Sequence, residues 1–370
     1  MRHREPVPPK ARGRGAAGNP TARFERLAYE PDGDWLDARA AGVDPDDEPS
    51  ALATELYRDP TRQVLAHNDS PDVGFDTSVN PYRGCEHGCS YCYARPTHEY
   101  LGLSAGLDFE TRIFVKEQAP ELLRRELEKP SWRPRVIALS GVTDPYQPAE
   151  RKLGLTRRCL EVLAAFRNPV AIVTKSGLVA RDRDLLAELA RHEAASVAIS
   201  VTTLDGELQR RMEPRASRPD RRLAAMRVLS DAGIPVTVMA APIVPGLNDS
   251  EIPRILRAAA EHGATSAGYV MLRLPHGVKE LFADWLERHY PDRREKVLHR
   301  VAEVRGGRLN DPRFGSRLRG EGIYAEQLRA LFRLESRRVG LDRGWPTLST
   351  AAFRVPGRPG QLGLFASDGR

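Results

Sequence analysis

Asn80-Pro-Tyr-Arg-Gly-Cys-Glu-His-Gly-Cys-Ser-Tyr-Cys-Tyr-Ala-Arg95 holds three of the four cysteines in this 370-residue chain: Cys85, Cys89 and Cys92. Three thiolates in a C-x3-C-x2-C run on one short loop can hold three corners of a cubic [4Fe–4S] cluster, leaving the fourth iron without a protein ligand. An iron with an open position can bind and reduce a small molecule, whereas a fully ligated cluster mostly carries electrons or holds structure. The competing chemistry is a tetrahedral zinc site in which His87 or His98 joins the three cysteines. Structural zinc sites more often use two separated C-x2-C knuckles, and this chain has no second one. Three close thiols with a distant Cys159 also suit a reducing compartment better than a disulfide framework.

Outward from the loop, from about residue 71, short β-branched runs alternate with amphipathic helical patterns. That alternation predicts βα units around a parallel sheet, so the fold class is α/β. The strand runs are 75–80, 135–140, 170–174, 197–202, 235–240 and 268–272, with 109–115 as an extra strand. Helical patterns cover 119–128, 156–166, 182–191, 219–232, 251–262 and 278–288. Four regions follow. Residues 1–70 read as a flexible, partly disordered extension, first basic and rich in Pro and Gly, then acidic at Asp44-Pro-Asp-Asp-Glu48, with few apolar clusters to bury. Within it, Asn19-Pro-Thr-Ala-Arg-Phe-Glu25 is suited to dock on the body. Residues 71–291 form the α/β body. Residues 292–354 read as a basic helical extension with helices at 293–304 and 324–339, and 355–370 as a flexible tail ending in Gln361-Leu-Gly-Leu-Phe365.

The net charge of +7 comes from 57 Lys and Arg against 50 Asp and Glu. From Arg293 to Arg343 there are 14 basic and 7 acidic residues, so this segment alone equals the whole excess. A basic C-terminal region is a nucleic-acid footprint or a solvated helical surface. No apolar run approaches the ~18 residues needed to span a bilayer. The N-terminus lacks the apolar core of a secretion signal, which predicts a cytoplasmic protein without a membrane partner.

The cysteine spacing, with Gly84-Cys85 ahead and Tyr91-Cys92-Tyr93 behind, resembles the signature of the radical S-adenosylmethionine (SAM) superfamily, most closely the branch related to spore photoproduct lyase. The resemblance implies a partial (β/α)6 TIM-type barrel whose lateral opening admits a large substrate. It implies a [4Fe–4S] cluster on Cys85, Cys89 and Cys92, with SAM chelated by the open iron. One electron from the cluster would cleave SAM and release a 5′-deoxyadenosyl radical. A one-electron reductant such as flavodoxin or ferredoxin would be a partner. The cofactor carries the hard chemistry, and the protein orients and shelters it.

In such barrels functional residues sit at the C-terminal ends of strands. Tyr91 belongs to the cysteine loop itself. The second strand ends at Ser140-Gly-Val-Thr-Asp144, where the family keeps a segment that grips the SAM amino group. Gly141 allows close backbone approach, and Thr143 and Asp144 can accept from the ammonium. Lys175 after the third strand suits the SAM carboxylate, Ser200 and Thr202 the ribose hydroxyls, and Arg211 and Glu213 lie near enough in sequence to reach the same ligand. The stretch 242–249 resembles the adenine-contacting segment, and Tyr269 and Arg273 border the sixth strand. Ser140 and Asp144 can equally serve as helix caps. The lyases carry a hydrogen-donating cysteine near the end of the second strand, where this chain has Ser140-Gly141. Cys159 is the remaining candidate donor, although a lone cysteine on an apolar helix face usually packs as a small hydrophobe. No cysteines remain for a second cluster. The expected function is therefore a radical SAM enzyme acting on an unidentified substrate, with nucleic acid as one candidate. The alternative is a non-catalytic DNA-associated adaptor with a structural zinc or iron–sulfur site. Gln361–Phe365 resembles the short peptide with which bacterial repair proteins bind the sliding clamp, and its Leu and Phe anchors suit an apolar groove.

Overall fold

The computed structural model describes residues 13–24 and 52–357. The acidic run at 44–48 and the Gln361–Phe365 peptide lie outside the described residues. The strands β1 (Glu55–Arg58), β2 (Leu65–His67), β3 (Thr77–Val79) and β4 (Tyr82–Arg83) precede the cysteine loop. After it come α1 (Leu107–Thr111), β5 (Arg112–Val115), α2 (Ala119–Glu128), β6 (Ile137–Leu139), α3 (Glu150–Leu153), α4 (Leu155–Phe166), β7 (Val170–Thr174) and α5 (Arg183–Ala190). The chain continues with β8 (Ala195–Ser200), α6 (Gly206–Met212), α7 (Pro219–Asp231), β9 (Val236–Ile243), α8 (Ile252–Glu261) and β10 (Ser266–Met271). It then runs through α9 (Val278–His289), α10 (Pro291–Glu303) and α11 (Gly322–Arg338).

A seven-stranded sheet runs β10-β9-β8-β7-β6-β3-β2. Its strands from β3 to β10 are parallel, and β2 caps the β3 edge antiparallel, with Leu65 opposite Val79. Each parallel step needs a crossover, and helices supply it, which is why β-branched runs and helical patterns alternate in the sequence. The sheet does not close on itself, so the body is a partial barrel open between β2 and β10.

Two expectations differ from the structure. The extra strand at 109–115 is helical up to Thr111, and only Arg112–Val115 is extended. It joins β1 and β4 in a separate three-stranded sheet. The helical turn is retained because the Phe109 carbonyl accepts the Cys85 N–H at 2.8 Å, which ties it beneath the cysteine loop. Strand structure also begins before residue 71, since β1 pairs with β5 and β2 with β3.

Alternate residues of a strand face opposite sides of a sheet. Ile137, Leu139, Ile172, Val197, Ile199 and Val236 face the helices and meet Leu123, Leu160, Leu163, Phe166 and Leu229 in one buried layer. Cys159 is wholly buried in this layer. It therefore packs as core between helix and sheet and does not face the barrel interior, which corrects its candidacy as hydrogen donor. The opposite faces contribute Ala198, Met239 and Ala241, with Val173 and Val270 packed against them.

The C-terminal extension packs back onto the body. Arg305 donates to the carbonyls of Met271 and Leu272 at 3.0 and 2.6 Å, and to Ser316 and Arg317 at 3.1 and 2.7 Å. Leu318 O accepts the Met271 N–H at 2.8 Å. Among the described residues no helix is long and apolar enough to cross a membrane.

Candidate active site

The cysteine loop, 84–95, lies between β4 and the 3-10 turn Arg95–Leu101 at the C-terminal end of the parallel strands. Its backbone is pinned from several sides. Gln147, fully buried, accepts the Glu86 N–H at 2.9 Å and donates to Gly84 O at 3.2 Å. Met212 O accepts the Ser90 N–H at 2.9 Å, and Arg215 N–H donates to His87 O at 3.3 Å. Arg95 donates to Cys89 O at 3.0 Å. Gly84 adopts a φ of 79°, and a Cβ there would meet Ile113, His98 and Phe109 at 2.9 to 3.0 Å. A loop that turns this tightly against α1 therefore needs glycine.

The three thiols lie within electrostatic reach of one another. Burial pushes all three up from the ordinary thiol value, with Asp144 adding to the effect at Cys85 and Glu213 at Cys89. Backbone groups of Ala94 and Arg95 oppose this at Cys92, as does that of Asp144 at Cys85. Such backbone contacts to sulfur are what a thiolate ligand uses once iron is bound. The two histidines proposed as zinc ligands are engaged elsewhere. His87 Nδ1 lies 3.3 Å from Asp144, and His98 Nε2 lies 3.0 Å from Arg112 O. The donor set thus fits a three-cysteine cluster better than a Cys3His tetrahedron.

Two buried carboxylates flank the loop. Asp144 accepts from the Thr174 hydroxyl at 2.7 Å, the Lys175 N–H at 2.7 Å and the Tyr146 N–H at 2.9 Å. Burial alone would raise its pKa, but His87 and these donors outweigh it and hold the carboxyl at about 2. With its oxygens taken inside the protein, Asp144 is a brace between β6, β7 and the cysteine loop, and does not offer itself to a ligand's ammonium. Glu213 is fully buried, paired with Arg222 and bonded to the Tyr91 hydroxyl. Burial pushes it up, and Arg222, Lys175, Thr202 and Tyr91 bring it down to about 2. Thr202 Oγ1 sits between Glu213, Ala241 O at 3.0 Å and the Tyr91 hydroxyl at 3.4 Å. Arg222 also donates to Ser200 O at 2.9 Å.

Lys175 projects between these groups. Its Nζ lies 5.9 Å from the Tyr91 ring centroid and 3.4 Å from Ala241 O, and among the described residues it has no ion pair within 4.0 Å. The segment after β6 is strained. Ser140 has a φ of 147° and Gly141 one of 132°. Strain of this kind in a non-glycine residue persists only where neighbours over-determine it. Here Asn80 accepts the Val142 N–H at 3.2 Å, Ser140 donates to Thr143 O at 3.3 Å, and the Tyr93 hydroxyl donates to Gly141 O. Thr143 turns its own hydroxyl to Tyr82 O at 3.4 Å. Tyr93, half exposed, has Arg273 over its ring at 5.6 Å.

The cysteines, Tyr91, Asp144, Lys175, Ser200 and Thr202 therefore gather at one end of the barrel. Arg211 does not join them. Its guanidinium lies over the Tyr290 ring at 5.1 Å and donates to His289 O at 3.1 Å and to Glu207, so it ties α6 to the end of α9. Helical spacing explains this, because residues 211 and 207 share a face that points to α9. Sequence reading missed Arg222, Gln147 and Asn80. Arg222 sits inside an ordinary helix pattern. Asn80 and Gln147 lie in stretches already singled out, but nothing local marks them as braces.

A six-strand partial barrel with three cysteines at its C-terminal mouth defines a radical SAM domain, and comparison with known proteins agrees. Residues 79–259, slightly under half of the chain, match the family model of the Radical SAM superfamily, a superfamily of enzymes. Its members use a [4Fe–4S] cluster and SAM. The chain is 42% identical over 220 residues to an uncharacterized protein of Mycobacterium tuberculosis, covering 59% of this chain and 65% of that one. It is 29% identical over 224 residues to an uncharacterized protein of Methanocaldococcus jannaschii, covering 60% and 80%. The match to the mycobacterial relative thus spans slightly less than two thirds of its length. Among solved structures, a mutant spore photoproduct lyase aligns with a TM-score of 0.56 and 16% identity over 86% of each chain. A mutant lyase with bound AdoMet and dinucleoside spore photoproduct aligns at 0.54 and 16%, over 77% of this chain and 78% of that one. At these identities the likeness is one of fold.

Proposed function

We propose that this protein cleaves SAM reductively at a cluster held by Cys85, Cys89 and Cys92, and directs the resulting radical at a nucleic-acid substrate. The observation that carries the reading is the meeting of three loop cysteines within electrostatic reach of one another with Lys175, which among the described residues has no ion pair within 4.0 Å, at one barrel mouth. When bound and reduced, the cluster would supply one electron to the sulfonium of SAM and release a 5′-deoxyadenosyl radical. The chain's own residues bind and orient. Lys175 is the cation available to the SAM carboxylate, and the Lys175 side chain is kept in place by Tyr91 beneath it and Glu213 behind. The Ser140–Thr143 backbone, held by Asn80 and Tyr93, presents peptide groups to the SAM amino end. Ser200 and Thr202 are the hydroxyls within the barrel suited to a ribose, with Thr202 oriented by Glu213.

The nucleic-acid part of the reading draws on the rim. Tyr93 presents half its surface to solvent directly after Cys92, a platform on which a base can stack. Beside it, the Arg273 Nε is buried and has no hydrogen-bond partner among the described residues. Several of the other C-terminal arginines are neutralised, among them Arg313 by Asp311 and Arg317 by Asp72. Arg273 is thus a cation left over for a phosphate. The deciding experiment is anaerobic incubation with SAM, dithionite and DNA or RNA, followed by mass analysis. Reductant-dependent 5′-deoxyadenosine together with altered nucleic acid supports the reading. Zinc in place of iron in oxygen-free preparations overturns it.

A further inference from the structure

The segment Gly13–Phe24 lies against the back of the cysteine loop, away from the groups assigned to SAM. Gly15 and Ala16 donate their backbone N–H groups to the two carboxylate oxygens of Glu110, at 3.0 and 2.8 Å. Glu110 is fully buried and paired with Arg95, the same arginine that holds the Cys89 carbonyl. One carboxylate therefore links the N-terminal segment to the backbone of a cysteine in the middle of the loop. The approach is close: a Cβ on Gly15 would stand 1.7 Å from the Gly88 carbonyl oxygen, and a Cβ on Gly88 would stand 2.6 Å from a Glu110 oxygen.

The attachment continues on both sides. Arg14 is buried and donates to Glu110 O at 2.9 Å, Leu52 O at 2.6 Å and the Thr54 hydroxyl at 3.1 Å. Thr54 in turn donates to Glu86, inside the loop, at 2.7 Å. Asn19 and Asp108 exchange hydrogen bonds of 3.0 and 2.9 Å, the Leu107 N–H donates to Gly18 O at 3.2 Å, and Arg23 pairs with Glu99. A surface arm with no role would not bury an arginine and two backbone N–H groups against an acid inside the body. Ordering such an arm costs conformational entropy, and these charge-assisted bonds offset it.

We infer that Gly13–Phe24 is a clasp that completes the cluster site. Glu110 is its positioning residue, acting on Cys89 through Arg95, and docking of the clasp governs how readily reagents and oxidants reach the three loop thiols. The inference rests on reading those thiols as cluster ligands, but its first readout does not require a cluster.

Full-length protein carrying Gly15→Val, which cannot dock without moving the Gly88 carbonyl, is compared with the unaltered chain. In the apoproteins, maleimide labelling is followed cysteine by cysteine, with buried Cys159 as the internal control for global unfolding. Labelling of Cys85, Cys89 and Cys92 should accelerate roughly tenfold or more, the loss expected when hydrogen bonds to a buried charge are broken, while Cys159 stays protected. In protein reconstituted without oxygen, chelator-driven iron loss should accelerate to a similar degree, and the electron paramagnetic resonance spectrum of the reduced cluster should change. If Gly15→Val exposes Cys159, the milder Arg14→Gln is judged on the same readouts, with Arg14→Lys expected to recover part of the protection. Loop labelling and iron loss within twofold of the unaltered chain, in a variant whose N-terminal segment has become protease-sensitive, would overturn the clasp. Absence of iron from the unaltered protein would instead overturn the cluster reading and leave the labelling result standing.

Discussion

The cysteine loop and the strand ends opposite it use their polar groups in contrary ways. In the loop, Gly84 O, Cys85 N–H, Glu86 N–H, His87 O, Cys89 O and Ser90 N–H all have protein partners. Across the barrel mouth, among the described residues, the Lys175 ammonium has a 3.4 Å contact to a carbonyl and the Tyr91 ring beneath it but no ion pair within 4.0 Å, and the Arg273 Nε has no hydrogen-bond partner. The loop is thus preorganised to hold its three thiols in place, and its satisfied backbone resists distortion. The strand ends keep cations under-satisfied, and an under-satisfied buried cation is what an anionic ligand can reward. The two carboxylates between them, Asp144 and Glu213, are spent on internal bracing.

The comparison breaks outright if the loop is not the iron site. Cys89→Ala should abolish the cluster, read as iron and sulfide content, and with it all formation of 5′-deoxyadenosine. Next in size is the bracing of the loop. Arg95→Met leaves Glu110 charged, buried and without its ion-pair partner, so the apoprotein should lose about 3–5 kcal/mol in denaturant unfolding. A loss below ~1 kcal/mol would mean that the loop is held chiefly by other contacts. On the opposite side, Lys175→Ala should weaken SAM binding by about tenfold to a hundredfold in calorimetry, the worth of a charge-assisted hydrogen bond, with iron content unchanged. Loss of iron instead would place Lys175 among the loop's supports. The smallest effect belongs to the rim. Arg273→Gln should weaken oligonucleotide binding several-fold and reduce the slope of log affinity against log salt by about one, measured by anisotropy. An unchanged slope would remove Arg273 from the phosphate contacts.

Sequence periodicity located all six parallel strands and the helices between them, with shifted ends, because buried parallel strands and amphipathic crossovers leave patterns that are local. It failed at 109–115, where a β-branched run is half helix because the Phe109 carbonyl is needed by the cysteine loop. At the site, the loop and Lys175 were legible because chemistry demands those residue types at a chain position. Arg211 was misplaced because a helix turn decides which of its neighbours points inward, and Arg222 was passed over because its helix looks ordinary. Cys159 could not be resolved from sequence, since the same helix face would serve a core residue or a donor.

By itself, then, the amino-acid order determined the three-thiol loop, the α/β alternation and the lysine after the third strand, each a matter of residue type and local spacing. Only the tertiary structure decided that Asp144 and Glu213 are braces, that Lys175 and Arg273 form no ion pair within 4.0 Å among the described residues, and that Gly13–Phe24 closes on Glu110. Those facts depend on which distant side chains meet, and the free energy of a buried charge is set by the partners it finds there, not by its neighbours in the chain.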